Sequence, residues 1–229
     1  MDQRDLLRRV SIFADLEEEA LASIAGLMSE RRFPKESVIV GQEDLGDSLF
    51  VVSRGKVKVV LYGRSGREVI LSIFKAGDFF GEMSLLDNQP RSANVIALED
   101  STLLTLERRA FAAHLEQYPQ TALQILAEMS RRLRRADSGI GNLALLDVYG
   151  RVARFLRELA ADEGEQIDGG LVIRQRPTQQ EIASMVGTSR ETVSRALSEF
   201  QRRGFLEMTG RKIVLRSQFA LDDDGSAKQ

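Results

Sequence analysis

The chain of 229 residues has no cysteine and a single histidine. The lack of cysteine excludes disulfides, thiol nucleophiles and any iron–sulfur or zinc site built from cysteine alone. One histidine, His114, cannot build a histidine cluster for a metal, and near the start of a helix it reads as a surface residue. No apolar run approaches the roughly 18 residues needed to cross a bilayer. The opening MDQRDLLRRV carries charge but no long apolar stretch, so it does not read as a secretory signal. A cytoplasmic protein without a membrane partner is expected. No Ser/His/Asp set, metal-ligand cluster or phosphate loop stands in the sequence, so neither a metal, a cofactor nor an enzymatic activity is expected.

What is present is ordinary for a globular chain: 43% apolar and 29% charged residues, enough for two modest domains with a core each. The net charge of −2 argues against general affinity for nucleic acid. Its distribution argues otherwise. Of 32 Lys/Arg and 34 Asp/Glu, nine basic and only four acidic residues fall within 171–216. Such asymmetry directs attention to DNA in the C-terminal part, although a solvated basic face has the same signature.

Residues 4–31 read helical through Leu6, Leu7, Val10, Ile12, Phe13, Leu16, Leu21, Ile24 and Leu27. From Phe33 to about Leu106 the period is two. Val57, Val59 and Leu61 alternate with Lys58 and Val60; Val69, Leu71 and Ile73 alternate with Ile70 and Ser72. Glycines from Gly41 to Gly81 mark the turns between short strands, which predicts an antiparallel jelly-roll. Helical spacing returns at Arg108 and runs to Leu146 with a break near Pro119. Within it Leu126, Met129, Leu133, Ala136, Ile140 and Leu143 step by three and four, a heptad seam. A helix packed on its own domain would also bury such a stripe. The narrow seam, with Arg131, Arg132, Arg134 and Arg135 outside it, favours pairing with an identical helix in a homodimer. Asp147 reads as the N-cap of the next helix, through Val148, Val152, Phe155, Leu156 and Leu159, and places a domain junction nearby. Residues 163–170 read as a polar turn and 222–229 as a disordered tail.

The segment PTQQEIASMVGTSRETVSRALSEF, 177–200, is the most informative. Thr178 and Glu181 form a capping box that starts a helix running to about Val186. Gly187 ends it, and Thr188 with Glu191 reads as a second capping box. Two helices joined by so short a turn are a helix-turn-helix. On the second, Val193, Ala196, Leu197 and Phe200 form an apolar stripe, opposite Arg190, Glu191, Ser194, Arg195 and Ser198. Arginine can donate twice to guanine, and glutamate can accept from cytosine. Ser189 and Thr192 suit phosphate contacts. An amphipathic helix with a solvated face is the bland alternative, but it leaves the capping signals around a glycine turn unexplained. FLEMTGRKIVL then alternates about Thr209-Gly210 as a hairpin, making a winged helix with Arg211 and Lys212 near the wing tip.

Together FGEMSLLDNQPRSANV at 80–95, LALLDVYGRVARFL at 143–156 and SRETVSR at 189–195 resemble the CRP/FNR family of transcription regulators. The likeness covers about residues 10–216. It implies an α+β chain: an N-terminal β-roll of the cyclic-nucleotide-binding kind (1–118), a dimerisation helix (119–146), a hinge at Asp147 and a C-terminal winged helix-turn-helix (147–221). It also implies an effector site of Gly81, Glu82, Arg91 and Ser92, joined by Met83, Ser84, Ala93, Ala136 and Asp137. A guanidinium suits a cyclic phosphate, and a carboxylate suits a ribose hydroxyl. The DNA-reading set becomes Gln179, Gln180, Ser189, Arg190, Glu191, Thr192, Ser194, Arg195 and Lys212. One departure stands out: cyclic-AMP-responsive members offer Thr-Ser where this chain has Ala136-Asp137. Cyclic AMP is the expected effector, and cyclic di-GMP the next. The expected partners are double-stranded palindromic DNA with TGTGA-like or TTGAT-like half-sites, a second copy of the chain, and RNA polymerase. A cyclic-nucleotide module that controls another protein, or an effector-independent regulator, is the alternative.

Overall fold

The computed structural model describes residues 3–217 and 219, so the tail expected to be disordered lies outside the described residues. The chain divides into two compact units, Met1–Arg134 and Arg135–Gln229. In chain order the first holds α1 (Gln3–Leu7), α2 (Glu18–Leu27), β1 (Ser29–Phe33), β2 (Val38–Val40), β3 (Ser48–Arg54), β4 (Lys56–Tyr62), β5 (Glu68–Lys75), β6 (Phe79–Phe80), α3 (Glu82–Asp87), β7 (Asn94–Ala97), β8 (Ser101–Glu107) and α4 (Arg108–Gln117). The long helix α5 (Gln120–Leu145) crosses the division.

Two antiparallel sheets, ordered β1-β8-β3-β6 and β2-β7-β4-β5, make the roll. Strand β3 holds it together because both of its faces are apolar. Phe50 and Val52 join Val57, Phe80, Val95 and Leu103 in a core shared by the two sheets. Leu49 and Val51 point the other way, into a second core with Leu6, Phe13, Leu21, Phe111 and Ile125 of the helices. Successive strand side chains point to opposite faces, so one strand supplies two cores.

Four sequence expectations shift here. Residues 4–31 are not one helical stretch: between α1 and α2 the chain closes consecutive i to i+3 turns, as from Val10 N–H to the Leu7 carbonyl at 3.0 Å. These turns bury Val10, Ile12 and Phe13 as well as a helix would. β1 escaped notice because Ser29, Glu30, Arg31 and Arg32 are all exposed. On β5 the expected simple alternation does not hold, with Ile70 buried and Leu71 at 52% exposure. A register shift between Val59 and Val60 of β4 resets the alternation of this pair. His114, expected at the surface, is buried in the last turn of α4. Its Nε2 lies 3.1 Å from Thr121 Oγ1, and Phe13 packs edge-on against its ring.

The second unit continues with α6 (Val148–Glu163), β9 (Glu165–Ile167), β10 (Gly170–Ile173), α7 (Gln179–Val186), α8 (Arg190–Arg202), β11 (Leu206–Thr209) and β12 (Lys212–Arg216). The strands form one sheet, ordered β11-β12-β10-β9. The polar turn expected over 163–170 thus contracts, because its flanks pair as β9 and β10. Val152, Leu156, Ile182, Val193, Leu197 and Ile213 meet in its core. Asp147 caps α6, its carboxylate accepting from Gly150 N–H at 2.7 Å. No helix among the described residues is long and apolar enough to cross a membrane.

Candidate functional site

In the first unit the stretch 80–95 wraps around Arg91, which is buried. Its Nη1 donates to the Gly81 carbonyl and its Nη2 to the Ser48 carbonyl, both at 2.8 Å. Glycine is required beside it. A Cβ at Gly81 would lie 2.7 Å from Nη1, and one at Gly46 would lie 2.6 Å from Nε. Gly81 also adopts φ 88° as it launches α3, a left-handed conformation that glycine takes without strain. Arg108 fixes the other end of this segment through the Gly46, Ser84 and Leu85 carbonyls and the Asn88 side chain.

Glu82, in the first turn of α3, is 2% exposed. Its Oε1 accepts from Arg132 Nη1 of α5 at 3.0 Å, while Oε2 is buried without a hydrogen-bond partner among the described residues. Burial pushes its carboxyl above the ordinary range, against the pull of Arg132 and Arg91. Desolvation likewise lowers the Arg91 guanidinium, opposed by the charges of Asp47 and Glu82. Ser84 and Ala93 are buried, Met83 is exposed, and Ser92 Oγ approaches Met83 Sδ at 4.0 Å. Gly81, Glu82 and Arg91 therefore converge, whereas Ala136 and Asp137 are exposed on α5 in the second unit.

Arg132 was missed as part of this group. It reads as one of four arginines outside the seam, yet it is packed over the Phe79 ring at 4.5 Å and donates to the Phe79 carbonyl. The signal was its spacing. Ile125, Glu128 and Arg132 share a helix face, and Ile125 is 2% exposed in the core of the first unit. Met129 leaves the expected seam for the same reason: its side chain packs partly buried against that core. Leu126, Leu133, Ile140 and Leu143 remain largely exposed, 59–65%, and Ala136 is exposed with them.

In the second unit Thr178 and Glu181 make the expected capping box, with Glu181 Oε2 accepting from Thr178 N–H at 2.6 Å. Gly187 closes α7 at φ 72°. The second cap differs from expectation. Ser189, not Thr188, is the N-cap of α8, and its Oγ accepts from Thr192 N–H at 3.2 Å. The Ser189 and Thr192 hydroxyls also lie 3.0 Å apart. Val193, Ala196, Leu197 and Phe200 are buried, which leaves Arg190, Glu191 and Arg195 exposed and Ser194 half-buried on the opposite face. The Glu191 carboxyl is lowered by hydrogen bonds from its own backbone N–H and Ser189, with Arg190 and Arg195 assisting. Gln179 and Gln180 occupy the first turn of α7. Lys212 is exposed where β11 turns into β12. Arg211 instead folds back, donating to the Arg176 carbonyl through Nε and Nη2.

Two family models match the chain, a cyclic nucleotide-binding domain over residues 30–118 and a Crp-like helix-turn-helix domain over 150–223. The chain is 34% identical to a CRP-like cAMP-activated global transcriptional regulator of Mycobacterium tuberculosis over 211 residues, covering 92% of this chain and 94% of that one. It is 33% identical to a cyclic AMP receptor protein of Thermus thermophilus, covering 93% and 95%. Among solved structures it resembles a c-di-GMP-responsive global regulator of Xanthomonas campestris, with TM-score 0.75 and 26% identity over 87% of this chain and 99% of that one. With a roll matching a cyclic nucleotide-binding domain and a winged domain that exposes the polar face of α8, the chain belongs to the CRP/FNR family of transcription regulators.

Proposed function

We propose that this protein is a cytoplasmic, homodimeric, sequence-specific regulator that binds palindromic DNA when a cyclic nucleotide occupies its roll. The observation that carries the reading is the state of the arginines in the winged unit. Arg174, Arg202, Arg203 and Arg216 are ion-paired with Glu165, Glu199 and Glu207. Arg190 and Arg195, on the exposed face of α8, have no ion pair among the described residues. Uncommitted guanidinium groups in the early turns of a recognition helix are those available to guanine edges. Glu191 and Ser194 would complete the readout, Lys212, Gln179 and Gln180 would hold the backbone, and Ser189 and Thr192 would meet phosphates. The half-sites are TGTGA-like or TTGAT-like.

The effector site in this reading is Gly81, Glu82, Met83, Ser84, Arg91, Ser92 and Ala93 of the roll (1–118), with Ala136 and Asp137 of the dimerisation helix (119–146). Leu126, Leu133, Ala136, Ile140 and Leu143 would form the seam between copies. Asp147 would be the hinge to the DNA-binding domain (147–221), and RNA polymerase the partner at promoters. The free Oε2 of Glu82 is an acceptor suited to a ribose hydroxyl. Cyclic AMP is the first candidate, in keeping with the names of the Mycobacterium and Thermus relatives. Cyclic di-GMP is the second, because Ala136 offers no hydroxyl to adenine and Asp137 can accept from guanine. The effector would act by binding the DNA-competent state more tightly.

Calorimetric titration with cyclic AMP, cyclic GMP and cyclic di-GMP, repeated with a palindromic duplex, tests the reading. One nucleotide should bind, and should bind more tightly when that duplex is present. Specific DNA binding that no nucleotide alters would leave an effector-independent regulator. Nucleotide binding without any preference for the palindrome would leave a module that controls another protein.

A further inference from the structure

A single guanidinium joins the end of the long helix to the helix-turn-helix. Arg151, half-buried in the first turn of α6, donates through Nε to the Val186 carbonyl and through Nη1 to the Leu146 carbonyl, each at 3.0 Å. Both acceptors sit at helix C-termini. Val186 is the last residue of α7, and Leu146 directly follows the last residue of α5. Carbonyls there lack partners within their own helix and form the negative end of its dipole. The residue after each acceptor has a specific task of its own. Leu146 precedes Asp147, the N-cap of α6, and Val186 precedes Gly187, the left-handed residue that turns the chain toward α8. Leu143 of α5 lies over that same turn: a Cβ at Gly187 would stand 3.6 Å from Leu143 Cδ2.

We propose that Arg151 is the positioning residue through which the junction of α5 and α6 sets the presentation of α8. A swing of α5 about Leu146-Asp147 must either withdraw the Leu146 carbonyl from Arg151 or carry Arg151 with it. In the second case Val186 and Gly187 follow, because the same guanidinium holds both carbonyls. An ordinary C-cap serves one helix. This one serves two, and neither end can shift while the other stays bonded. Asp147 reinforces the arrangement, since its carbonyl accepts from Arg151 N–H at 3.0 Å and its side chain from Gly150 N–H. Arg151 touches no base or effector in this scheme. It acts by converting a change at the junction into a change at the turn before the recognition helix.

The inference rests on the regulator reading above, and its test separates the two. Affinity of the full chain for a duplex with palindromic TGTGA half-sites is measured by fluorescence anisotropy, without nucleotide and with cyclic AMP or cyclic di-GMP, for wild type, Arg151→Gln and Arg151→Lys. The ratio of affinities with and without nucleotide should fall about tenfold in Arg151→Gln, within the usual range of allosteric coupling. It should fall less in Arg151→Lys, whose ammonium keeps the charge but cannot span both carbonyls as the planar fork does. Nucleotide binding in the absence of DNA should be unchanged in both. Should Arg151→Gln fail to fold, Arg151→Lys decides: a wild-type ratio there overturns the proposal. Equal loss of DNA affinity with and without nucleotide also overturns it, because Arg151 would then only hold the unit together. A wild-type chain whose DNA binding ignores both nucleotides overturns the effector reading and this coupling with it. A response that survives in both variants overturns the coupling alone.

Discussion

Arg132 Nη1 meets Glu82 Oε1 at 3.0 Å, so a residue of the long helix neutralises the buried carboxylate beside Arg91. The second oxygen of Glu82 has no partner among the described residues. Arg132→Gln should therefore cost about 3 kcal/mol, the low end for breaking a buried pair because Arg132 keeps some exposure to solvent. The sign of its pH dependence is set by Glu82. Its carboxyl is raised in the folded chain, so the folded state holds that proton more tightly than the unfolded one. Removing Arg132 raises it further. The loss should be greatest near neutral pH and shrink as pH falls toward the ordinary carboxylate range. Thermal unfolding of both proteins at about pH 8 and about pH 5 measures it, and Glu82→Gln in the Arg132→Gln background should recover much of the loss.

Arg91 has a structural duty beside the ligand duty proposed for it, and substitutions separate the two. With the Gly81 and Ser48 carbonyls both bonded to it, Arg91→Ala would remove the proposed anion ligand and also the donor to both carbonyls. The change should therefore cost fold stability as well as ligand affinity. Each orphaned carbonyl costs about 1–3 kcal/mol, and the nucleotide-free variant should unfold at lower temperature than wild type. Arg91→Lys keeps the charge and one donor direction. It should lose less stability than Arg91→Ala while still losing most nucleotide affinity by calorimetry, because one ammonium does not replace a bidentate fork.

Two adjacent residues of the recognition helix should behave differently. Arg190→Ala removes an exposed side chain, so stability should hardly change. Its specific DNA affinity should fall by about 1–3 kcal/mol, and one base position should relax. Ser189→Ala removes the hydroxyl that accepts from Thr192 N–H, which costs about 1 kcal/mol of fold stability by loss of an N-cap. Thermal melts paired with binding to single-base operator variants distinguish them. Equal binding of all variants by Arg190→Ala and by wild type would remove Arg190 from the reading set.

The contrast between these sites shows what a sequence carries. The winged unit was legible because its signals are local: a capping box at Thr178, a left-handed glycine at 187 and an apolar stripe on α8 all act within a few residues. Asp147 was legible for the same reason. Ser189 was misplaced by one residue because Thr188 offers the same hydroxyl and only backbone geometry chooses between them. The roll was legible as a class but not in phase, since the register shift at Val59/Val60 moves Ile70 inward without changing composition. The clamped positions of Arg132 and Arg151 were not legible. Their partners, Glu82 at one site and Val186 at the other, are distant in sequence, and nothing in a local pattern tells a clamped arginine from a solvated one.

The exposed seam of α5 makes a separate prediction about assembly. Leu133 and Ile140 are 63% and 65% exposed in the single chain. In a helix pairing with its copy they would be knobs buried at the centre of the seam. Leu133→Asp with Ile140→Asp should convert a dimer to a monomer in sedimentation equilibrium while leaving the helical spectrum of each unit intact. Specific binding to a palindrome should then collapse toward that of one half-site. Met129→Asp offers an internal contrast, because Met129 packs on the core of the first unit and should lower stability. A wild-type chain already monomeric at micromolar concentration would sink the pairing.

His114 should make the first unit sensitive to mild acid. Burial lowers its imidazole, and Nδ1 has no hydrogen-bond partner among the described residues. The neutral ring is the form the fold accepts, with Nε2 beside the Thr121 hydroxyl. The unfolded chain titrates at the ordinary value of about 6.5 and takes up a proton that the folded chain refuses. Stability is therefore complete above that value and declines as pH falls below it, with a slope of at most about 1.4 kcal/mol per pH unit for one proton. His114→Gln removes the titration but keeps a polar group near Thr121. It should be less stable than wild type at about pH 8, and the gap should narrow between about pH 6.5 and pH 5. Unfolding by denaturant across that window reads the difference directly. Parallel curves for the two proteins would show that the proton is taken up elsewhere.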